Sequence, residues 1–280
     1  MKSKGIAVPY VIWMAIFVVA PLLIIVFYAF TSQAGGFTLE NFSTMAQYTG
    51  VFGRSFLLAI IATFICLLIG YPLSYWLAQE SPAVRRVAMM LIMLPMWMNF
   101  LLRTYAWMSI LENKGFINQF LNQIGLISFL QNHFGYTLDY IPLINTSGAV
   151  VLGMVYNFLP FMVLPIYNVL SKIDDNIINA AMDLGANSFQ RFIRIWFPLS
   201  IPGIISGITM VFVPSLTTFV ISDLLGGSKI LLIGNVIEQE FTRGSNWHLG
   251  SGLSLVLMVF ILISMAMIAK YDKNGEGTAF

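Results

Sequence analysis

Six long runs of apolar residues divide the chain, and shorter segments rich in Gly, Asn and Ser separate them. A helix that crosses a bilayer needs about 20 mostly apolar residues, and each run is long enough. Because backbone groups in lipid must form hydrogen bonds within their own segment, the pattern predicts an all-α integral membrane protein. The six predicted transmembrane helices are Ile6–Phe30, Ser55–Leu77, Val87–Leu111, Thr146–Leu170, Ile201–Leu225 and Leu249–Ala269.

The distribution of Lys and Arg predicts the direction of these spans. The loops on the side of the two termini contain more basic residues than the loops on the other side. Cytoplasmic loops hold the excess of Lys and Arg, so both termini are predicted to be cytoplasmic. The inner set is Lys2, Lys4, Arg85, Arg86, Lys172, Arg191, Arg194, Lys270 and Lys273, and the outer set is Arg54, Arg103, Lys114, Lys229 and Arg243.

Composition excludes several classes of soluble protein. Of the 280 residues, 58% are hydrophobic and 9% are charged, whereas a soluble domain has about 25% charged residues. This balance excludes a soluble enzyme, a disordered chain and a nucleic-acid-binding protein. A single cysteine, Cys66, excludes an internal disulfide and a cysteine-based zinc site.

We predict one membrane domain with three parts. Residues 1–54 contain the first helix and an outer loop, residues 55–270 form a core of five helices, and residues 271–280 are a cytoplasmic tail. The outer loop at residues 112–145 is expected to contain a short interfacial helix, and the outer segment at residues 226–248 has an amphipathic middle. The cytoplasmic connection at residues 171–199 is the most informative segment.

That connection is predicted to form two short helices with a glycine between them. Asp174 can cap the first helix, whose apolar residues recur at spacings of three and four. Gly185 ends it, because glycine adopts the left-handed conformation without steric cost. Ser188–Ile195 forms a second, basic helix, and Pro198 precedes the next span. The apolar stripe needs a partner, which is either the membrane and the other spans or a second protein.

These residues resemble the cytoplasmic loop of permeases from binding-protein-dependent ABC importers. The loop of that family reads Glu-Ala-Ala, three residues, Gly, nine residues, Ile-x-Leu-Pro. Here the corresponding positions are Asn179–Ala181, Gly185 and Ile195–Pro198, at the same spacing. Asn179 replaces the glutamate and removes one ionic contact with a partner, and Phe197 replaces the leucine.

Within that family the chain closely resembles the first permease subunit of bacterial spermidine/putrescine importers. The similarity extends from about Ser55 to Leu253. Its distinctive stretches are Leu94–Asn99, Arg103–Trp107, Leu159–Pro165, Ser222–Gly227 and Leu232–Ile237.

The resemblance implies a type I ABC importer permease fold in the bacterial cytoplasmic membrane, with lipids around it. A second, homologous permease subunit would complete the pathway, two ATPase subunits would bind ATP and Mg²⁺, and an extracytoplasmic polyamine-binding protein would deliver substrate. The chain lacks a G-x-x-x-x-G-K-[ST] loop, so we expect no cofactor and no ATPase activity in this subunit. The implied residues for coupling to the ATPase are Asn179, Ala180, Ala181, Asp183, Leu184, Gly185 and Pro198.

Carboxylates and aromatic rings are the side chains suited to contact a polyamine, because ammonium groups bind both. Trp97 in span three and Asp223 near the outer end of span five are the candidates for the substrate pathway. Trp97 is also explained by packing, and Asp223 by a salt bridge or a helix end. Arg103 would repel a polycation, so we predict a structural role with a carboxylate or carbonyl partner. Pro214 is expected to bend span five.

Two other functions and one other cargo are the alternatives to a polyamine permease. An ion-coupled secondary carrier would have carboxylates at the midplane of several spans, and the central spans contain almost none. A membrane enzyme would need clustered His, Asp or Cys, whereas His133 and His248 are isolated and predict no metal site. A permease for another small solute stays open, because related permeases transport iron, sulfate, molybdate or thiamine.

Overall fold

A computed structural model describes residues 4–134, 137–244 and 246–271. Apart from one isolated bridge between Thr31 and Phe37, the regular elements within these ranges are helices. The all-helical prediction is therefore confirmed for the described residues. The predicted tail beyond Tyr271 lies outside them, as do Lys2 and Lys273 of the charge comparison.

The first predicted span forms a continuous helical rod. It consists of α1 (Lys4–Met14), a π-helical turn (Ala15–Val19) and α2 (Ala20–Ala29). The side chains described along this rod point mostly away from the rest of the chain, and α2 packs on the last helix. Such a largely apolar rod is suited to lipid or to another apolar protein surface.

The second span is longer than the sequence predicts. After α3 (Glu40–Thr44) and a 3₁₀ turn (Met45–Tyr48), α4 runs over Thr49–Gln79 without interruption. The buried residues of α4 are mostly small, and they include Cys66. This composition lets α4 lie close to its neighbours in the bundle.

The third predicted span is broken, so the prediction of one continuous helix over Val87–Leu111 is wrong. The chain forms α5 (Pro82–Trp97) and α6 (Phe100–Leu111), and the run Phe100–Gln123 that begins with α6 is bent by 92° from α5. Met98 adopts an extended conformation there. Asn99 then begins the new helix, because its Oδ1 accepts a hydrogen bond from the Leu101 N–H at 2.8 Å. Two short helices follow in the predicted outer loop, α7 (Phe116–Gln123) and α8 (Leu126–Phe134), where one was expected.

The centre of the bundle is the contact of α4 with two later helices. The chain continues through α9 (Ser147–Leu170), α10 (Asp175–Asp183), α11 (Ser188–Arg191), a π-helical turn (Phe192–Trp196) and α12 (Phe197–Thr217). Helices α4, α9 and α12 pack on one another and bury the largest apolar cluster of the described residues. Burial in this bundle therefore depends on three helices that are distant in sequence.

Glycines set the distance between α9 and α12. A Cβ atom on Gly203 would lie 2.8 Å from the Pro165 carbonyl oxygen, and one on Gly207 would lie 2.7 Å from Met162 Sδ. The spacing of four between these glycines predicts a close helix contact, and the structure confirms it.

The fifth predicted span is also broken. Helix α12 ends at Thr217 and Thr218 is extended, so the prediction of one helix over Ile201–Leu225 is wrong. The chain continues as α13 (Val220–Gly226), a 3₁₀ turn (Gly227–Lys229), α14 (Ile233–Thr242) and α15 (Trp247–Tyr271). The described part of the predicted outer segment at residues 226–248 is thus largely helical and partly buried.

The number of spans agrees with the sequence when the bent pair is counted as one. Five helical segments among the described residues are long and apolar enough to cross a bilayer, and the bent pair that begins with α5 is the sixth. The sequence pattern therefore predicts the number of spans and misses two internal breaks.

Candidate functional site

The segment between α9 and α12 contains the first group of candidate residues, and its first helix has a defined end. Asp174 caps α10, because its Oδ1 accepts a hydrogen bond from the Asn176 N–H at 2.9 Å. At the other end Gly185 has φ +79°. The Gly185 N–H donates to the Met182 carbonyl at 2.9 Å, and the Ala186 N–H donates to the Ala181 carbonyl at 2.9 Å. These two bonds form a Schellman motif, which confirms that Gly185 ends the helix.

The second helix of this segment has a cap that the sequence reasoning missed. Asn187 Oδ1 accepts from the Gln190 N–H at 2.8 Å, and Gln190 Oε1 accepts from the Asn187 N–H at 2.9 Å. An Asn followed three residues later by Gln is the sequence signal that could have identified this capping box. The prediction of a separate second short helix over Ser188–Ile195 is wrong, because the π-helical turn joins α11 to α12 in one continuous helical run, Ser188–Thr217. Pro198 lies inside this run, directly after the π-helical turn.

The exposed surface of the segment between α9 and α12 is apolar around Gly185. Leu184 is 89% exposed, and Met182, Ile177 and Phe189 are also exposed. Asn179, Ala180 and Asp183 are exposed beside them, whereas Ala181 and Ile178 are half-buried against the chain itself. Part of the predicted apolar stripe therefore packs against the bundle, and the other part is exposed and available to a partner.

Aromatic side chains attach the second half of the segment to the end of α4. The Phe192 ring contacts Tyr71 and Tyr75 edge-on, with centroid distances of 5.9 and 5.2 Å. Trp196 contacts Tyr75 at 5.4 Å, and the hydroxyls of Tyr71 and Ser200 lie 3.0 Å apart. A force applied to the segment would consequently reach α4 as well as the two helices that the segment connects.

The two candidate pathway residues lie next to the two broken helices. Trp97 is the last residue of α5 and is 75% exposed. Asp223 is exposed on α13, and α13 packs against α6. Non-helical backbone at membrane depth is tolerated where protein buries it or where it lines a cavity. The helix breaks therefore identify the region in which a pathway would be expected.

A buried amide holds the second break together, and the sequence reasoning did not identify it. Asn235 is 2% exposed, and its Oδ1 contacts the Ser222 hydroxyl and accepts from the Leu232 N–H at 3.1 Å. Its Nδ2 donates to the Phe219 carbonyl at 2.9 Å. One side chain thus satisfies backbone groups on both sides of the turn, as buried polar groups require.

Two guanidinium nitrogens of Arg103 lack the carboxylate or carbonyl partner that the sequence predicts, among the residues that the structure describes. Arg103 is 8% exposed on α6, and its guanidinium lies 5.9 Å from the centroid of the Phe100 ring. Its Nε and Nη1 make no hydrogen bond to the residues that the structure describes. Pro214 lies inside α12, one turn before the break at Thr218.

The arrangement defines a polytopic helical membrane protein with an exposed helix–glycine–helix segment. Its fold is that of a chain in the structure of a bacterial ABC transporter involved in the import of the acidic polysaccharide alginate. The TM-score is 0.76 at 18% identity, over 98% of this chain and 95% of that one. A second structure of a bacterial alginate ABC transporter, in complex with an alginate pentasaccharide-bound periplasmic protein, matches with a TM-score of 0.75 at 17% identity, over 96% of this chain and 92% of that one. At these identities the similarity establishes the fold alone.

Sequence comparison then assigns the family. Residues 70–273 match the binding-protein-dependent transport system inner membrane component family, and the chain belongs to it. The spermidine/putrescine transport system permease protein PotB of Haemophilus influenzae is 38% identical over 94% of this chain and 90% of its own length. PotB of Escherichia coli is 38% identical over 88% and 89%. The predicted family is confirmed, and the chain is a multi-pass transport component of the inner membrane rather than an enzyme.

Proposed function

We propose that this chain is a permease subunit of an ATP-driven importer and forms part of the pathway for spermidine or putrescine. The similarity to two spermidine/putrescine permeases over nearly the full length of each chain is the observation that supports this cargo. Family membership favours a binding-protein-dependent importer over an ion-coupled secondary carrier. A permease for another small solute is the alternative that the test below distinguishes.

The proposed partners are a second, homologous permease, two ATPase subunits that bind ATP and Mg²⁺, and an extracytoplasmic polyamine-binding protein. The apolar surface around Leu184 is suited to a groove on the ATPase, since it is exposed in the isolated chain. Movement of α10 would be transmitted through Phe192 and Trp196 to α4 and α12. This supports a rigid-body switch between inward- and outward-open states as the transport mechanism.

Trp97 and Asp223 remain the proposed contacts of the pathway with substrate. Both are exposed beside a helix break, and an aromatic face and a carboxylate suit an ammonium group. Arg103 is assigned a structural role, because a buried guanidinium would repel a polycation.

Uptake by cells that lack the chain tests the proposed function. We expect uptake of radiolabelled spermidine or putrescine to fall to background and to return when the intact chain is expressed. The strain must contain no other polyamine importer. Unchanged polyamine uptake, with loss of another solute instead, would contradict the cargo and support the alternative permease.

A cysteine-labelling experiment tests the orientation and the ATPase contact together. Cys66 is buried, so a Cys66→Ala background removes the single native thiol with little change to the surface. We expect Leu184→Cys to react with a membrane-impermeant maleimide only when the cytoplasmic face is accessible, and more slowly when the ATPase is bound.

Phe116→Cys is the matched control on the predicted outer side, because Phe116 is 71% exposed on α7. It should react in intact spheroplasts, where Leu184→Cys does not. Labelling of Leu184→Cys from outside would overturn the predicted orientation, and equal labelling rates with and without the ATPase would overturn the proposed contact.

A further inference from the structure

A cavity of about 530 Å³ lies between the end of α12 and helices α14 and α15. Its volume is within the range of small-molecule pockets, which is about 300–1,000 Å³. The wall is mainly apolar, and among the described residues that line it Glu238 is the single charged one. The sequence pattern treats this region as an outer loop, but the structure places Glu238 on the partly buried helix α14.

The carboxylate of Glu238 lies within hydrogen-bonding distance of a hydroxyl on its own helix. The Thr242 hydroxyl lies 2.9 Å from Glu238 Oε1 and 2.7 Å from the Glu238 backbone carbonyl oxygen. Phe219 and Phe241 lie in the same wall, and the Phe241 ring is supported by an edge contact with Trp247 at 5.7 Å. The cavity thus combines one carboxylate with two aromatic rings and an apolar surface.

The cavity adjoins the break between α12 and α13, where backbone is close to backbone. A Cβ on Gly234 would lie 2.6 Å from the Thr217 carbonyl oxygen, so α14 approaches the end of α12 without an intervening side chain. Any movement at this break would change the shape of the cavity directly. A ligand held here would therefore be affected by the switch between transport states.

Charge complementarity favours an occupant that carries an ammonium group on an apolar chain. A carboxylate and aromatic faces attract an ammonium group, and the apolar wall suits the methylene chain that separates the amines of a polyamine. An anionic lipid headgroup would be repelled by Glu238, and an uncharged lipid chain would leave the carboxylate without a counter-charge.

We propose that Glu238 binds an ammonium group of the polyamine during passage, with Phe219 and Phe241 against the charge and the adjoining methylenes. This inference rests on the proposed function, because it names a contact for the same cargo. Glu238 would be a substrate contact in addition to the proposed contacts Trp97 and Asp223.

The test is polyamine uptake by the complete transporter with Glu238→Gln, which keeps the shape and removes the charge. We expect maximal uptake to fall about tenfold, since a charge-assisted hydrogen bond is lost. The half-saturating concentration should change little, because the binding protein captures the substrate. ATP hydrolysis stimulated by the binding protein should persist, so fewer polyamine molecules enter for each ATP.

Glu240→Gln is the matched control. Glu240 is on the same helix as Glu238, but it lies beside Tyr48 and does not line the cavity. It should transport as the wild type does, and Glu238→Asp should restore part of the uptake. If Glu238→Gln does not insert, Phe219→Leu removes one ring from the cavity and is expected to lower maximal uptake severalfold. Wild-type rates in whichever of these cavity variants inserts would overturn the inference, whereas absence of polyamine uptake by the wild-type complex would contradict the proposed function itself.

Discussion

Replacement of Gly185 by valine is expected to lower ATP-driven uptake about five- to thirtyfold while the membrane bundle stays folded. Gly185 has φ +79°, and no atom lies within 4 Å of the position that a Cβ would occupy. The effect therefore comes from the backbone conformation and not from a collision. A left-handed conformation costs an L-residue about 1–2 kcal/mol, which shifts the population of the observed turn by about five- to thirtyfold.

The position of α10 relative to α11 depends on this turn, so Leu184 would no longer be presented correctly to the ATPase. Uptake by reconstituted transporter is the measurement. Gly185→Asn is the control, because asparagine tolerates the left-handed region and the space around it is open. If the valine variant transports as well as the asparagine variant, the coupling role of this turn is wrong.

Replacement of Gly203 by valine is expected to disrupt the bundle itself. A Cβ at this position would lie 2.8 Å from the Pro165 carbonyl oxygen and 3.0 Å from Ile166 Cα. Both atoms belong to the backbone of α9, so no side-chain rotation can relieve the contact. Overpacking costs about 1–3 kcal/mol, and separation of α9 from α12 would add lost packing over their shared surface.

The folded fraction is measured by size-exclusion chromatography of detergent-solubilised protein after a series of heating steps. We expect the Gly203→Val variant to aggregate at a lower temperature than the wild type. Gly53→Val provides the comparison, because nothing lies within 4 Å of a Cβ built on Gly53. Equal thermal stability of the two variants would show that the close contact of α9 with α12 is not needed.

The sequence predicts those parts of the fold that depend on local pattern. Runs of apolar residues predict the spans, and Asp174 and Gly185 predict the start and end of α10, because capping and the left-handed turn involve only neighbouring residues. The resemblance in the Asn179–Pro198 segment predicts the family, which the match over residues 70–273 confirms.

The helix breaks could not be predicted from apolar content, because mostly apolar residues continue on both sides of each break. Asn99 caps α6, but an isolated Asn within an apolar run does not by itself predict that a helix stops at Met98. The break at Thr218 is stabilised by Asn235 from a later helix, a contact that no local pattern contains. The Glu238 cavity is missed for the same reason, since three separate helices form it.

ATP-dependent uptake into proteoliposomes tests the central claim most directly. The chain would be reconstituted with its second permease and ATPase subunits, with ATP enclosed and the binding protein outside, and the initial uptake of radiolabelled spermidine and putrescine would be measured. The account predicts uptake that requires both enclosed ATP and the binding protein. Uptake that is equal without ATP, or ATP hydrolysis without uptake of either polyamine, would contradict it.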